Sequence, residues 1–367
     1  MTILDMRPAS RQLDAMLHDT SPPIPRPATA IDWRHLLRMT DDCCLLEHAT
    51  GAVPNRRHGY CTDDNGRALA VVAQAGNPHL QPLAERYLAF LEHAHNDDGS
   101  FALRMTYERR WRDDISDDAS GRAIFGLGVA AARAPWGPVR EGAQSLFDRA
   151  MDFRSPFPRS MAYASLGAAA VVQQAPDHRA AHALLDAARP LLVPSSSTTD
   201  NWPWPEDRLT YSNALLPNAR LAIAQINNDA IETRAALEQL DWLVGLQLID
   251  GYLSPIPNTG YAHGDALVSF DQQPIELWHL ADAAARAWHI TQDDHWSDIV
   301  AACQGWFDGA NTLGAIMFDP YSGGIFDGLG VAGPNCNQGA ESTLAGIGVA
   351  LAEADVRQRQ PRDGAKI

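Results

Sequence analysis

The chain has 367 residues, 46% of them hydrophobic, and a formal net charge of −16. That is enough apolar material for a large core, while the acidity excludes nucleic acid as an expected partner, because phosphate backbones are held by clustered Lys and Arg. No run of 18 apolar residues is present to cross a membrane, and Met1–Pro25 lacks the basic start and apolar stretch of a signal peptide, so a cytoplasmic location is expected.

In chain order, residues 1–30 read as an arm or linker, with a short helix near Arg11–His18 and a proline-rich exit, Ser21–Pro27. Residues 31–355 contain no Pro/Ser-rich break long enough to divide a core, and 356–367 read as a charged, frayed tail. Within 31–355 two kinds of helix alternate. Amphipathic, charge-bearing segments fall at about 33–49, 79–96, 138–153, 177–192, 229–247 and 293–308. Segments rich in Ala and Gly and apolar all round fall at about 63–76, 117–134, 159–175, 213–227, 272–289 and 338–354. A helix apolar on every side is buried on every side. Strict alternation, six times over, predicts an all-α (α/α)6 barrel, six inner helices ringed by six outer ones.

The connections are unequal. Inner-to-outer links are short; outer-to-inner links (97–116, 193–212, 248–271, 309–337) are long and carry turn signals such as Asp98-Gly99-Ser100 and Gly323-Gly324. The long loops, with short β-hairpins in them, should therefore gather on the face where inner helices begin, the usual place for a site on a rigid scaffold. Cys43, Cys44, Cys61, Cys303 and Cys336 form no C-x-x-C pair and are odd in number, which predicts reduced thiols.

Two inner-helix starts nearly repeat each other: Asp63-Asp64-Asn65-Gly66-Arg67-Ala68 and Asp118-Ala119-Ser120-Gly121-Arg122-Ala123, both D-x-x-G-R-A. One reading is structural, with Thr62 and Ser116 as N-caps and each Asp pairing with the Arg four residues on. The other places Asp63, Asp64, Asp118 and both arginines around a common pocket. The loop Trp202-Pro203-Trp204-Pro205-Glu206 offers two flat apolar rings, which suit the C–H face of a sugar or the packing of the loop itself, and a carboxylate beside them. Tyr211 and Asn213 follow at the next helix start. Asp271, Gln272 and Glu276 open the fifth inner helix: Asp271 can cap it, and an inward Glu276 would be a buried carboxylate with its proton affinity raised. Glu341 opens the sixth in like fashion, after a Gly-rich loop containing Asp327, which could hold a turn or face a ligand. His279 reads as a core residue, no metal-ligand spacing such as H-E-x-x-H occurs, and the phosphate-cradling and serine-nucleophile motifs are missing. No cofactor or metal is expected.

These residues resemble the six-hairpin glycosidase superfamily, and within it a bacterial group of (α/α)6 domains sometimes fused to Rossmann-type glycosyltransferases. The resemblance rests on G-Y-C-T-D-D-N-x-R-A (Gly59–Ala68), D-x-x-G-R-A (Asp118–Ala123), W-x-W-x-E (Trp202–Glu206) with T-Y-x-N (Thr210–Asn213), F-D-Q-Q-P-I-E (Phe270–Glu276) and G-A-E-S (Gly339–Ser342), and spans Trp33 to Ala354. It implies a carbohydrate-active enzyme acting on an oligosaccharide or glycoside, with a functional link to a glycosyltransferase.

The chemistry of glycosidic cleavage then needs one carboxylic acid and one carboxylate. The candidates are Glu206 or Glu276 as acid and Asp118 or Glu341 as base. Asp63 and Asp64 would bind hydroxyls or share the base role. A phosphorolytic variant would use inorganic phosphate held by Arg67 or Arg122. Trp202, Trp204, Tyr211, Asn213, Asp271, Gln272 and Asp327 complete the substrate contacts. Two alternatives compete. A sugar epimerase or isomerase would need histidines facing each other across the pocket, with His58, His263 and His279 available. A non-catalytic glycan-binding partner of a glycosyltransferase would show an aromatic pocket with no spaced acid pair.

Overall fold

The computed structural model describes residues 31–194 and 202–359; the expected arm, the helix near Arg11–His18, Asn201 and residues 360–367 lie outside these. Twelve α-helices occur among the described residues, alternately outer and inner. The outer six are α1 (Arg34–Met39), α3 (Gln81–Ala94), α5 (Gly137–Arg149), α7 (Arg179–Leu192), α9 (Ala230–Gln247) and α11 (Asp294–Phe307). The inner six are α2 (Thr62–Ala75), α4 (Asp117–Arg133), α6 (Pro158–Gln174), α8 (Leu215–Ile226), α10 (Pro274–Thr291) and α12 (Ala340–Arg359). Each inner helix packs on the next, and α12 packs back on α2, so the inner ring closes. The architecture is the (α/α)6 barrel that the alternation predicts.

Burial follows the same division. Along α4 and α6 nearly every residue is buried, whereas α5 and α7 bury only a stripe, as in Leu184, Leu185, Ala188 and Leu192. The helix starts obey local chemistry: Pro274 occupies the first turn of α10, where its missing N–H is no loss. The predicted caps Thr62 and Ser116 do not cap. Thr62 lies inside α2 and gives its hydroxyl to the carbonyl of Ala102 at 2.5 Å, and Ser116 makes no capping bond. Asp271 is exposed and leaves the cap position of α10 to Gln273.

The first outer helix is much shorter than the 33–49 expected. Asp41 Oδ1 accepts from the backbone N–H of Cys43 at 2.8 Å and Cys44 at 3.3 Å, and Asp41 Oδ2 accepts from Tyr60 OH at 2.8 Å. A side chain that satisfies the backbone locally competes with helix continuation, and the chain turns back so that Leu46 N–H reaches Met39 O.

The long loops all lie where inner helices begin. They contain the strands, all two or three residues long and antiparallel. Two pairings join different loops: Tyr60–Cys61 with Arg104–Met105, and Arg208–Leu209 with Tyr261–Ala262. The rim is thus stitched together rather than left as separate excursions. All five cysteines are free thiols, and among the described residues no helix is long and apolar enough to cross a membrane.

The closest helix contacts run through glycines. A Cβ on Gly66 (α2) would stand 2.5 Å from the carbonyl oxygen of Arg122 (α4), and one on Gly121 (α4) 2.4 Å from that of Ser160 (α6). One on Gly126 would stand 2.2 Å from Gly66 O, and one on Gly128 2.3 Å from Gly167 O. The glycine of each D-x-x-G-R-A motif therefore lets its helix touch the backbone of the next, which brings the charged residues beside it to their neighbours. Gly66→Ala should destabilise the fold by roughly 1–3 kcal/mol, the usual cost of overpacking, despite alanine's better helix propensity. Gly245→Ala, exposed on α9 with nothing within 4 Å of the new methyl, should stabilise by up to ~1 kcal/mol. Thermal and denaturant melts of the two variants check this; equal effects would contradict the close-packing role.

Candidate active site

Each of the first three inner helices carries one buried arginine near its start: Arg67 on α2, Arg122 on α4 and Arg159 on α6. A buried guanidinium is tolerable only when paired, and carboxylates supply the partners. Arg67 Nη2 donates to Asp64 at 2.6 Å, and Nη1 lies 3.0 Å from Glu341 on α12, at an angle short of a hydrogen bond. Arg122 Nη1 donates to Asp63 Oδ2 at 2.9 Å and to Asp118 Oδ2 at 3.3 Å. Arg159 Nη1 donates to both oxygens of Glu206, each at 2.6 Å. Asp63 does not pair with Arg67 four residues on; it crosses to the arginine of the next inner helix.

Asp118 is the most elaborately held carboxylate. Ser160 Oγ donates to Oδ1 at 2.5 Å, while Tyr211 OH at 2.6 Å and Arg122 at 3.3 Å donate to Oδ2. Burial alone would raise its proton affinity, but Arg122, the two hydroxyls and Arg159 outweigh it and hold the group below 3.8. Asp64 goes the other way. Burial dominates the pull of Arg67, and Glu341 and Glu47 add repulsion, pushing it up to about 7. The two environments separate the acidities of neighbouring carboxyls, a recurrent arrangement for acid and base.

Glu276 is buried as expected, and burial pushes it to about 7. Its oxygens are nevertheless committed. The Ser212 N–H donates to Oε1, and Asn213 donates to Oε2 through its backbone N–H at 3.1 Å and Nδ2 at 3.2 Å. Ser212 sits in the left-handed region at φ 50°, which costs energy in a residue other than glycine. Glu276 anchors that turn, and through it the entry of α8, to α10. The role foreseen for it as a proton donor does not suit a group wrapped by N–H donors.

The tryptophans are also corrected. Trp204 is fully buried and Trp202 nearly so, both against Trp242 with ring centroids 5.9 and 5.3 Å away. Neither has an open face for a sugar. They pin the loop down, and Trp202 Nε1–H binds the backbone carbonyl of Glu206 at 2.8 Å, fixing that residue beside Arg159. The ring that does face out is Tyr211, 40% exposed and stacked on the Arg159 guanidinium at 4.8 Å.

Gln272 is spent on structure. Nε2 donates to Ser254 Oγ, Ser269 O and Thr312 Oγ1, and Oε1 accepts from Trp306 Nε1 at 2.9 Å. Asp327 Oδ1 accepts from Gly339 N–H and Ser342 Oγ, each at 2.6 Å, so it fastens the start of α12 rather than facing a ligand. Asn213 Oδ1 receives Thr210 N–H at 3.0 Å and Arg159 Nη2 at 3.3 Å. Asp271 lies exposed, outside this network.

Sequence reading did not find Arg159 or Tyr163. Arg159 is the sole charged residue of α6, and a lone charge in an all-buried helix is a signal in itself. Tyr163 OH meets His279 Nε2 at 2.8 Å, Arg122 stacks on its ring at 4.9 Å, and Phe125 lies 5.8 Å away. His279 is driven well below 6.5 by burial and by Arg67, Arg122 and Arg159, so it is neutral. His58 and His263 are both exposed, His58 edge-on to His48 and His263 edge-on to Trp202. Among the described residues no group of His, Cys, Asp and Glu is arranged to hold a metal ion.

No known protein family and no curated protein matches the chain in sequence. Solved structures do match in fold. A sugar epimerase from a ruminal bacterium superposes with a TM-score of 0.66 at 11% identity, covering 89% of this chain and 95% of its own. Cellobiose 2-epimerase from Bacillus thermoamylovorans gives 0.65 at 12%, covering 87% and 95%. A GH76 α-mannanase from Bacteroides thetaiotaomicron gives 0.62 at 12%, covering 89% and 93%. Together with the closed ring of six inner helices, these likenesses show that the chain has an (α/α)6 toroid fold.

Proposed function

We propose that the protein is a glycoside hydrolase. The observation that carries this reading is the division of labour among the carboxyls where inner helices begin. Asp118 is held ionised by four donors or cations, whereas Asp64, which shares Arg67 with Glu341, has its proton affinity pushed up to about 7 by burial. Solvent exposure separates the members that could touch a substrate: Glu341 at 45%, Asp63 at 19% and Asp118 at 18% of the side chain, against 4% for Asp64. Asp118 is the base or nucleophile. The proton source is assigned to the cluster in which Asp64 and Glu341 meet Arg67, with Glu341 its solvent-facing member. Glu206 and Tyr211 line the approach. Polyhydroxylated substrate suits a rim of fixed acceptors.

Hydrolysis is preferred to phosphorolysis because all three arginines are already engaged: Arg67 with two carboxylates, Arg122 with two, and Arg159 with Glu206, Asn213 and the carbonyl of Tyr211. A phosphate would have to displace them in a rim that is acidic overall. Asp118→Asn should lower kcat by about 10²–10⁴ on whichever glycoside is cleaved, the usual worth of a positioned base. Product analysis of aryl glycosides and oligosaccharides should show free sugars whether or not phosphate is added; a sugar phosphate would overturn the hydrolytic assignment.

The pH profile follows from the sign of the Asp118 shift. Its folded proton affinity lies below 3.8, so the ionised form is present above that value and lost only as pH falls through it. The acidic limb of kcat/KM should therefore lie below pH 3.8 wherever the protein remains folded. A limb near neutrality would mean that another carboxylate is the base.

Isomerisation is the second reading, since two of the fold relatives named above are epimerases. It needs a base at a carbon centre, and His279, neutral and bound to Tyr163, is the candidate that lies near Arg67, Arg122 and Arg159. A facing pair is not formed by His58 or His263. Incubating glucose, mannose and cellobiose with the protein in D2O should leave carbon-bound hydrogens unexchanged by NMR. Deuterium at the carbon next to the carbonyl would favour isomerisation over hydrolysis.

A further inference from the structure

The barrel has a second opening. Where the inner helices end, opposite the carboxylates, lies a cavity of about 670 Å³, within the range of small-molecule sites. All six inner helices line it, for example through Gln74, Arg133, Gln173, Gln225, Asp282 and Asp355. Its deeper wall is apolar, with Phe125, Val129 and Leu166.

The polar lining decides what would fit. Five glutamines and Asn218 contribute to it, and a primary amide offers donor and acceptor in one group. The charges are mixed: Arg133, Arg286 and Arg359 against Asp282 and Asp355, with Asp355 already bound to His289 at 2.5 Å and Arg359 at 3.1 Å. An anion is disfavoured by the negative ends of six helices, and a cation by the three arginines. Arg286 is half-buried and gives Nε to Asn218 at 2.6 Å and Nη1 to Gln225 at 3.1 Å, both neutral amides. Nη2 meets no acceptor among the described residues. Asp282, one turn earlier, attracts Arg286 electrostatically, yet the two are not in ion-pair contact. Asp282 already accepts from the Trp278 side chain, so a guanidinium donor and a carboxyl acceptor both line the cavity without pairing with each other, and each suits a hydroxyl group, which can accept from one and donate to the other.

We propose that this cavity is a second binding site, for a neutral, hydroxyl-rich molecule the size of a mono- or disaccharide, distinct from the carboxylate rim. Apolar depth under an amide-rich mouth matches the two faces of a sugar ring. The proposal does not depend on which reaction the rim performs.

Hydrogen–deuterium exchange of the full chain with glucose, mannose or cellobiose as probe tests it. At least one of these sugars should slow exchange in the last turns of α6 and α10. Gln174→Trp, on the exposed rim of the cavity and outside the core, should weaken that binding about tenfold, equivalent to ~1.4 kcal/mol. Asp118→Asn should leave the protection intact. Protection confined to the starts of the inner helices would overturn the proposal while supporting the carbohydrate reading of the rim. It would equally be overturned by protection that Gln174→Trp does not change, or by no protection with any of the three sugars.

Discussion

The structure depends on backbone touching backbone between α2, α4 and α6. Helices in globular proteins usually pack at 8–10 Å through side chains; here glycines at 66, 121, 126, 128 and 167 let carbonyl groups of one helix meet the Cα of the next. Close approach removes room for long side chains in the contact. It also removes water from the helix starts, where Arg67, Arg122 and Arg159 project. Each charge then faces the desolvation penalty of a low-dielectric interior and must find a partner on a neighbouring element. The salt-bridge network is a consequence of that packing. Arg122 reaches Asp63 because Gly66 lies against Arg122's own backbone.

The same constraint explains why acidities diverge over a short distance. Both Asp64 and Asp118 lose water, so burial raises the proton affinity of each. Asp118 recovers more than it loses, because Ser160, Tyr211 and Arg122 come from three separate elements and all donate to it. Asp64 has Arg67, but shares that cation with Glu341. One guanidinium between two carboxylates cannot fully stabilise both charges, and burial raises the proton affinity of Asp64. Local sequence places an arginine within one turn of each aspartate, three residues after Asp64 and four after Asp118, and does not predict which of the two keeps its charge. The number of donors arriving from elsewhere does.

This marks the limit of what the sequence disclosed. The six-fold alternation was legible because inner and outer helices differ in the one property that burial selects, the fraction of the circumference that is apolar. The repeated D-x-x-G-R-A was legible as a motif, but the reason for its glycine was not, because the helix that a Cβ there would strike lies far along the chain. The short α1 escaped because a side chain, Asp41, competes with the helix only once Tyr60 is nearby to complete the turn. Trp202 and Trp204 illustrate a further ambiguity. A proline-braced aromatic loop looks the same whether its rings face a ligand or the core; Trp242, about 40 residues on in an outer helix, decides it. Arg159 was hidden by having no motif around it, although a single charge in a 17-residue helix of small and apolar residues required a buried partner.

The barrel's two ends are chemically different because its middle is closed. Phe125, Tyr163, His279 and Trp278 meet ring to ring across α4, α6 and α10, with centroids 5.4–5.8 Å apart. A continuous channel would let water reach the arginines from below and weaken every ion pair above. With the plug in place, solvent reaches the charged rim from one side only. His279 pays for its place in that plug by staying neutral: Nε2 meets Tyr163, and three arginines oppose any proton on the ring. On the far side, Phe125 forms part of the apolar wall of the lower cavity. One aromatic layer thus serves as floor for both compartments: Phe125 lines the lower cavity and packs on Tyr163, whose ring carries Arg122.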